Sequence, residues 1–375
     1  MPRRVEIRPV SERTPQRIPS LDGLRALSIG LVVVGHLVPC LRLGWSEHVL
    51  AALDLGRLGV RVFFVISGFL ITRLLLEERA RTGTISLPQF YLRRTLRIFP
   101  PYYAFLLTLL VLHHAGLVVV PPEDFRHAAT YTTNYFATSW TLGHTWSLSV
   151  EEQFYLLWPA LFLLLGSRRW MAGVAVILVA APIDRLLQPA EAVQFGVVAD
   201  ALAAGCLLAG LHDRLAAIRP APRLLRASWT FVVSLAGALA IELVATRPSV
   251  VPTWVHRGAL VSAQNGLIAL AIHWSIVNAG SAIGRLLNSR PLRFVGVISY
   301  SIYLWQQPFM NSYAPAAFTT FPLNLVGAGA CALASYYAIE RPALSFRRRL
   351  ERRAALARTP QPATGRELPG LTPGS

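Results

Sequence analysis

The sequence predicts an all-α polytopic membrane protein, a bundle of about ten transmembrane helices with both termini in the cytoplasm. Three observations lead there. Of 375 residues, 54% are hydrophobic and only 15% charged, and mean hydropathy is +0.46; soluble domains carry about 25% charged residues. Apolar runs long enough to cross about 30 Å of hydrocarbon as helices recur along the whole chain. The basic residues are distributed unevenly between the segments that join those runs.

The runs cover roughly 22–41, 58–76, 98–119, 147–166, 170–187, 193–211, 227–246, 258–278, 294–311 and 322–340. Glu151 and Glu152 interrupt the fourth, and Pro308 the ninth. The first lacks a small-residue cleavage site and reads as a retained span rather than a signal peptide. All 36 basic residues are arginine. Of these, 29 fall in segments 1–25, 73–97, 168–169, 213–226, 279–293 and 341–375. The other seven, Arg42, Arg57, Arg61, Arg126, Arg185, Arg247 and Arg257, lie toward the opposite face. The two sets alternate with the spans, and the positive-inside rule places the richer set in the cytoplasm. Residues 1–17 are then a cytoplasmic tail, 18–342 a membrane domain, and 343–375 a basic juxtamembrane stretch suited to anionic lipid, followed by a disordered tail.

A net charge of +17 could by itself indicate nucleic-acid binding. Interspersed between apolar spans, the arginines fit membrane orientation instead, and no nucleic-acid partner is expected. Cys40, Cys206 and Cys331 fall in three different spans with no CxxC pair and no neighbouring His cluster, so neither a metal site nor a disulfide framework is indicated. HExxH, GxSxG and P-loop signatures are absent from the sequence.

Charged and titratable groups inside a span are costly and therefore informative. Arg25 and His36 are eleven residues apart, so they share one helix face, about 16 Å apart along the axis. Singly, each has a structural reading: a snorkelling arginine, or an interhelical histidine. Together they suggest a site. Ser67 and Gly68, in mid-span, allow close approach of either a neighbouring helix or a substrate. Arg93, Arg94 and Arg97 cluster where the third span begins. Arg94 and Arg97, at i and i+3, would present two guanidinium forks suited to phosphate, although arginines collect here for topological reasons also. Glu151 and Glu152 point about 100° apart, so one at most faces the interior. The expected partner of that carboxylate is His36, giving a general base oriented by an acid. Asp184, Arg185, Asp200, Glu242 and His273 each read as structural pairs or as chemistry.

The stretches LDGLRALSIGLVVVGHL, FFVISGFLITRLLL, FYLRRTLRIFPPYY, HTWSLSVEEQFYLLWP, VGVISYSIYLWQQP and YYAIERP, in this order, resemble the acyltransferase-3 family of integral membrane acyltransferases. The resemblance runs from about Arg17 to Pro342. It implies a ten-helix bundle in the bacterial cytoplasmic membrane that takes an acyl group, often acetyl, from acyl-coenzyme A. The acceptor would be a sugar hydroxyl of a surface polysaccharide, glycolipid or glycosylated small molecule. It implies no permanently bound cofactor, catalytic roles for Arg25, His36 and Glu151, and coenzyme A contacts by Arg94 and Arg97, with Arg93, Ser67 and Gly68 beside them. Relatives often read YLWHxP where this chain has Gln306 and Gln307. The competing reading is a proton-coupled transporter or flippase of a lipid-linked glycan, with His36 and Glu151 as the relay.

Overall fold

The computed structural model describes residues 18–41, 54–189, 191–217, 227–245, 251–313 and 316–358. The expectations for the 1–17 tail and for 359–375 lie outside the described residues, as do Arg42, Arg219, Arg223, Arg226 and Arg247.

Every described regular element is helical. Helix α1 (Pro19–Leu41) opens on a proline and carries Asp22 in its first turn, where a carboxylate complements the helix dipole. Helix α2 (Leu55–Thr82) is capped by Asp54, whose side chain accepts from the Arg57 N–H. It ends at Gly83, with φ 74°, in the left-handed conformation glycine adopts without strain. Helix α3 (Leu87–His114) follows, then the short α4 (Pro122–Ala129) and α5 (Trp140–Gly143). Helix α6 (Thr145–Leu187) leads to α7 (Phe195–Ala217) and α8 (Ser228–Ala245). A π-turn at His256–Leu260 leads into α9 (Val261–Val277). The chain closes with α10 (Ala282–Leu287), α11 (Arg290–Phe309), α12 (Leu323–Ser335), a second π-turn at Tyr336–Glu340, and α13 (Arg341–Arg358).

The expected count of about ten spans does not carry over directly. Six stretches combine the length and apolarity needed to cross a bilayer: Ser20–Leu41, Leu55–Thr82, Leu87–His114, Trp140–Leu187, Phe195–Ala217 and Thr253–Val277. The remaining expected spans are helical but fall short for identifiable reasons. Helix α8 has only a short apolar stretch, Ser228–Val244. Helix α11 is diluted by Arg290, Arg293, Gln306 and Gln307, and α12 is 13 residues long before its π-turn.

The fourth and fifth expected spans fall within α6. Gly166 has φ 68° and ψ −174° there, a conformation essentially reserved for glycine. Phe162 and Trp170 meet across it with ring centroids 5.3 Å apart and planes tilted by 43°, whereas eight residues of straight helix span about 12 Å. The chain therefore folds back at Gly166, next to Arg168 and Arg169.

Neighbouring contacts fix relative directions. Gly35 meets Gly56 while Gly59 meets Ser28, so α1 and α2 are antiparallel. Helix α2 runs parallel to α7: Arg61 is within electrostatic reach of Asp200 at one end and Arg73 pairs with Asp213 at 2.9 Å at the other. Between them, Cβ atoms at Gly68 and Gly205 would overlap the Leu202 and Val65 carbonyl oxygens, respectively. Such backbone contact through small residues is how helices associate in lipid. Helix α11 runs parallel to α1, with Gly296 against the Asp22 carbonyl at one end and Gln306 on His36 at the other. Segment ends that the arginine distribution assigns to one face thus meet one another.

Large apolar side chains such as Leu107, Val111, Leu156, Leu164, Val176 and Val326 are exposed on the outside of these helices. A continuous apolar exterior of this kind belongs in lipid, and the chain is a multi-pass membrane protein. Buried ion pairs tie the interior. Arg185 pairs with Asp200 at 2.5 Å, and Asp200 also accepts from Ser262 at 2.7 Å. Arg61 faces Glu242 at 3.7 Å, and Glu242 accepts from Gln264 at 2.9 Å. His273 meets His212 at 3.1 Å between ring nitrogens. Of the two readings of Arg185, Asp200, Glu242 and His273, these contacts favour the structural one.

Candidate active site

Three helices turn polar stripes toward one another. On α1 the stripe is Arg25, Ser28 and His36; on α6 it is His144 (the residue before the helix), Ser147, Glu151 and Tyr155; on α11 it is Ser299, Tyr303 and Gln306. The steps are three and four residues or their sums, the spacing of one helix face. Ser147 Oγ and Tyr303 Oη are 2.5 Å apart, and Tyr303 also donates to the His144 carbonyl at 2.9 Å, joining α6 to α11.

At one end of this seam stands His36. Its Nδ1 lies 2.8 Å from Gln306 Oε1, and its ring meets Trp140 edge-on at 5.4 Å. Gln306 Nε2 faces Gln307 Oε1 at 3.5 Å, and Gln307 Nε2 donates to the Trp140 carbonyl at 2.7 Å. A second imidazole, His144, is buried nearby. Its ring sits beside the Leu304 backbone, and neither nitrogen makes a hydrogen bond of good geometry.

At the other end, Glu151 accepts from Ser67 Oγ at 2.6 Å, and Ser67 in turn accepts from Tyr155 Oη at 3.1 Å. The Arg94 guanidinium lies 4.3 Å over the Tyr155 ring, a cation–π contact. Arg25 lies within electrostatic reach of Glu151, Asp22 and Arg97. Arg94 is likewise within reach of Arg97, Glu151 and Glu152. Glu340, buried and accepting from Ser301 at 2.9 Å, faces Arg97 and Arg25. Helix α13 brings Arg347 toward the same corner, in reach of Arg93 and Arg97.

The structure therefore gathers Arg25, Arg94, Arg97, Ser67 and Glu151, and separates other expected members. The expected His36–Glu151 pair is not a pair: Gln306 holds the imidazole and Ser67 holds the carboxylate. The reason is register on α6, where Glu151 sits two turns below His144, at the level of Ser67 rather than His36. Gly68 faces the α7 backbone and not the seam. Arg93 turns away to pair with Glu78 at 3.0 Å, a contact set by the α2–α3 turn, where Glu78 also accepts from the Ser86 N–H at 2.9 Å. The residues that sequence reasoning passed over are His144, Ser147, Tyr155, Tyr303 and Gln306. The periodicity of HTWSLSVEEQFY carried the signal for three of them.

A lipid-spanning helical bundle with a polar seam, cationic at one end and bearing an imidazole at the other, defines a membrane protein built for chemistry on a polar substrate. The chain belongs to the acyltransferase-3 family, whose model, described as an acyltransferase domain, matches residues 18–341. It is similar to the peptidoglycan O-acetyltransferase OatA of Listeria monocytogenes, 30% identical over 340 residues, covering 81% of this chain and 51% of that protein. It is also similar to the O-acetyltransferase OatA of Staphylococcus aureus (strain NCTC 8325), 29% identical over 331 residues, covering 80% of this chain and 52% of that protein. The chain thus spans about half the length of these relatives. No solved structure matches it.

Proposed function

We propose that this chain is an O-acyltransferase of the bacterial cytoplasmic membrane, moving an acetyl group from acetyl-coenzyme A to a sugar hydroxyl of a cell-wall glycan. One observation carries the chemistry: His36 is held through Nδ1 by a carbonyl-type acceptor, so Nδ1 bears the proton and Nε2 keeps its lone pair. Nε2 has no hydrogen-bond partner among the described residues. An imidazole in this tautomer is a general base ready for a hydroxyl.

In this reading, His36 Nε2 takes the proton of the acceptor hydroxyl as its oxygen attacks the thioester carbonyl. The C–O bond forms, the C–S bond breaks, and the imidazolium returns the proton to the leaving thiolate. A relay through acyl-histidine uses the same Nε2. Arg25, Arg94 and Arg97, with Arg347 from α13, hold the phosphates of coenzyme A; charge-assisted contacts of arginine with phosphate are among the stronger hydrogen bonds. Glu151 balances Arg25 and Arg94 and, through Ser67 and Tyr155, fixes where they point. The relatives' names favour acetyl transfer to peptidoglycan and lend nothing to a transporter. The test is transfer of labelled acetyl from acetyl-coenzyme A to cell-wall glycan by the purified chain, with alkali-labile ester as the product. Proton-coupled glycan uptake without ester formation would replace this reading.

A further inference from the structure

At the His36 end, outside the seam, the residues before and within α5 and those around the end of α11 enclose a cleft of about 470 Å³. Small-molecule sites are typically about 300–1,000 Å³. Trp140 and Tyr313 form a corner of it, ring centroids 5.3 Å apart and planes 62° apart. Gln307, Asn311, Thr138 and Ser139 contribute amides and hydroxyls, and among the described residues no carboxylate or guanidinium lines it. The wall is built rather than incidental: Trp140 Nε1 donates to the Gln307 carbonyl at 3.0 Å, and Gln307 Nε2 donates back to the Trp140 carbonyl at 2.7 Å. Ser139 is pinned by its N–H to Asp124 at 2.7 Å, while its Oγ has no hydrogen-bond partner among the described residues.

The lining selects a ligand class. An anion desolvated here would meet no counter-charge from the described lining. A wholly apolar ligand would leave the buried Ser139 hydroxyl without a partner. A sugar ring answers both requirements, laying its C–H face on an aromatic plane and its hydroxyls against amides. The Trp140 ring that forms the corner also touches His36, so a unit bound here has its hydroxyls near the base. We infer that this cleft is a binding site for a neutral hexose or N-acetylhexosamine unit of the acceptor glycan. Its role as acceptor subsite rests on the O-acyltransfer reading; its affinity for a neutral sugar rests on the cleft alone.

The test measures binding and chemistry separately on the full chain in detergent micelles. Binding is read by saturation-transfer NMR with an N-acetylglucosamine tetrasaccharide, and an oligogalacturonate of equal length serves as the anionic competitor. Chemistry is read as labelled acetyl transferred to glycan. Tyr313 is largely exposed, so Tyr313→Ala keeps the fold; Thr138→Trp fills the cleft. The expected result is saturable tetrasaccharide binding, weakened at least tenfold by either substitution and not displaced by the oligogalacturonate. Absence of binding by the unsubstituted chain, or equal binding by both variants, overturns the inference, and the O-acyltransfer reading survives if transfer persists. Variant-sensitive binding without any acetyl transfer keeps the cleft and removes the transferase reading instead.

Discussion

Gln306 Oε1 stands 2.8 Å from His36 Nδ1, joining residues 270 positions apart in the chain. The orientation of this amide follows from its neighbours. Gln307 donates to the Trp140 carbonyl, which turns Gln307 Oε1 toward Gln306 Nε2. Gln306 must then present its oxygen to His36. Reversing either amide would set two oxygens against each other. The relay therefore fixes a proton on Nδ1 and a lone pair on Nε2.

Removing that acceptor should loosen both tautomer and ring. Gln306→Ala is expected to lower the acetyl-transfer rate about 10–100-fold, by analogy with removal of a group that orients a metal-ligating histidine, with little change in the KM for acetyl-coenzyme A. Gln306→His, the residue the resembling family often carries there, is expected to retain most of the rate. Steady-state kinetics of the two variants separate an orienting role from mere packing, which both substitutions disturb.

His36 itself should be indispensable for turnover and dispensable for folding. His36→Ala is expected to lower transfer by about 10²–10⁴-fold, the usual worth of a general base, while the protein still inserts and still binds coenzyme A. Near-normal turnover in this variant would remove the imidazole from the mechanism.

Gly68 and its neighbour Ser67 should part company. A methyl at Gly68 collides with the Leu202 carbonyl, so Gly68→Ala is expected to cost about 1–3 kcal/mol as overpacking, read as a lower Tm in detergent. Ser67→Ala removes a donor from Glu151 and is expected to raise the KM for acetyl-coenzyme A with a smaller effect on Tm. The opposite pattern would return Gly68 to the substrate path.

The helical class and the relative directions of α1, α2, α7 and α11 were legible because apolar length and arginine asymmetry are one-dimensional signals, whereas the count of about ten spans was not. Arg25, Arg94, Arg97 and Ser67 stood out as candidates because polar groups in lipid are costly wherever they occur. The partner of His36 was not. The sequence pointed to Glu151, and finding Gln306 there instead needs the axial register of α6 and α11 against α1, which for α11 depends on the backbone contact of Gly296 with Asp22. Arg93 was misassigned for a similar reason. Its neighbour Glu78 lies across a turn, and one-sided counting of arginines cannot see a nearby carboxylate.

The cationic end offers a comparison between arginines that sequence alone treats as equivalent. Arg93 is already paired with Glu78, so Arg93→Ala is expected to change the KM for acetyl-coenzyme A less than twofold. Arg97 and Arg347 face each other's positive charge across α3 and α13, an arrangement that an anionic ligand relieves. Substituting either by Ala is expected to raise that KM about 10–100-fold, as loss of one charge-assisted hydrogen bond to phosphate would. Because partly exposed charges are screened by salt, the unsubstituted chain should show a KM that climbs between 50 and 300 mM salt, and each variant a shallower climb. The double variant should fall short of the product of the two single effects if both arginines grip one phosphate group. Salt-independent KM values, or an Arg93 effect as large as that of Arg97, would move the donor away from this corner of the bundle.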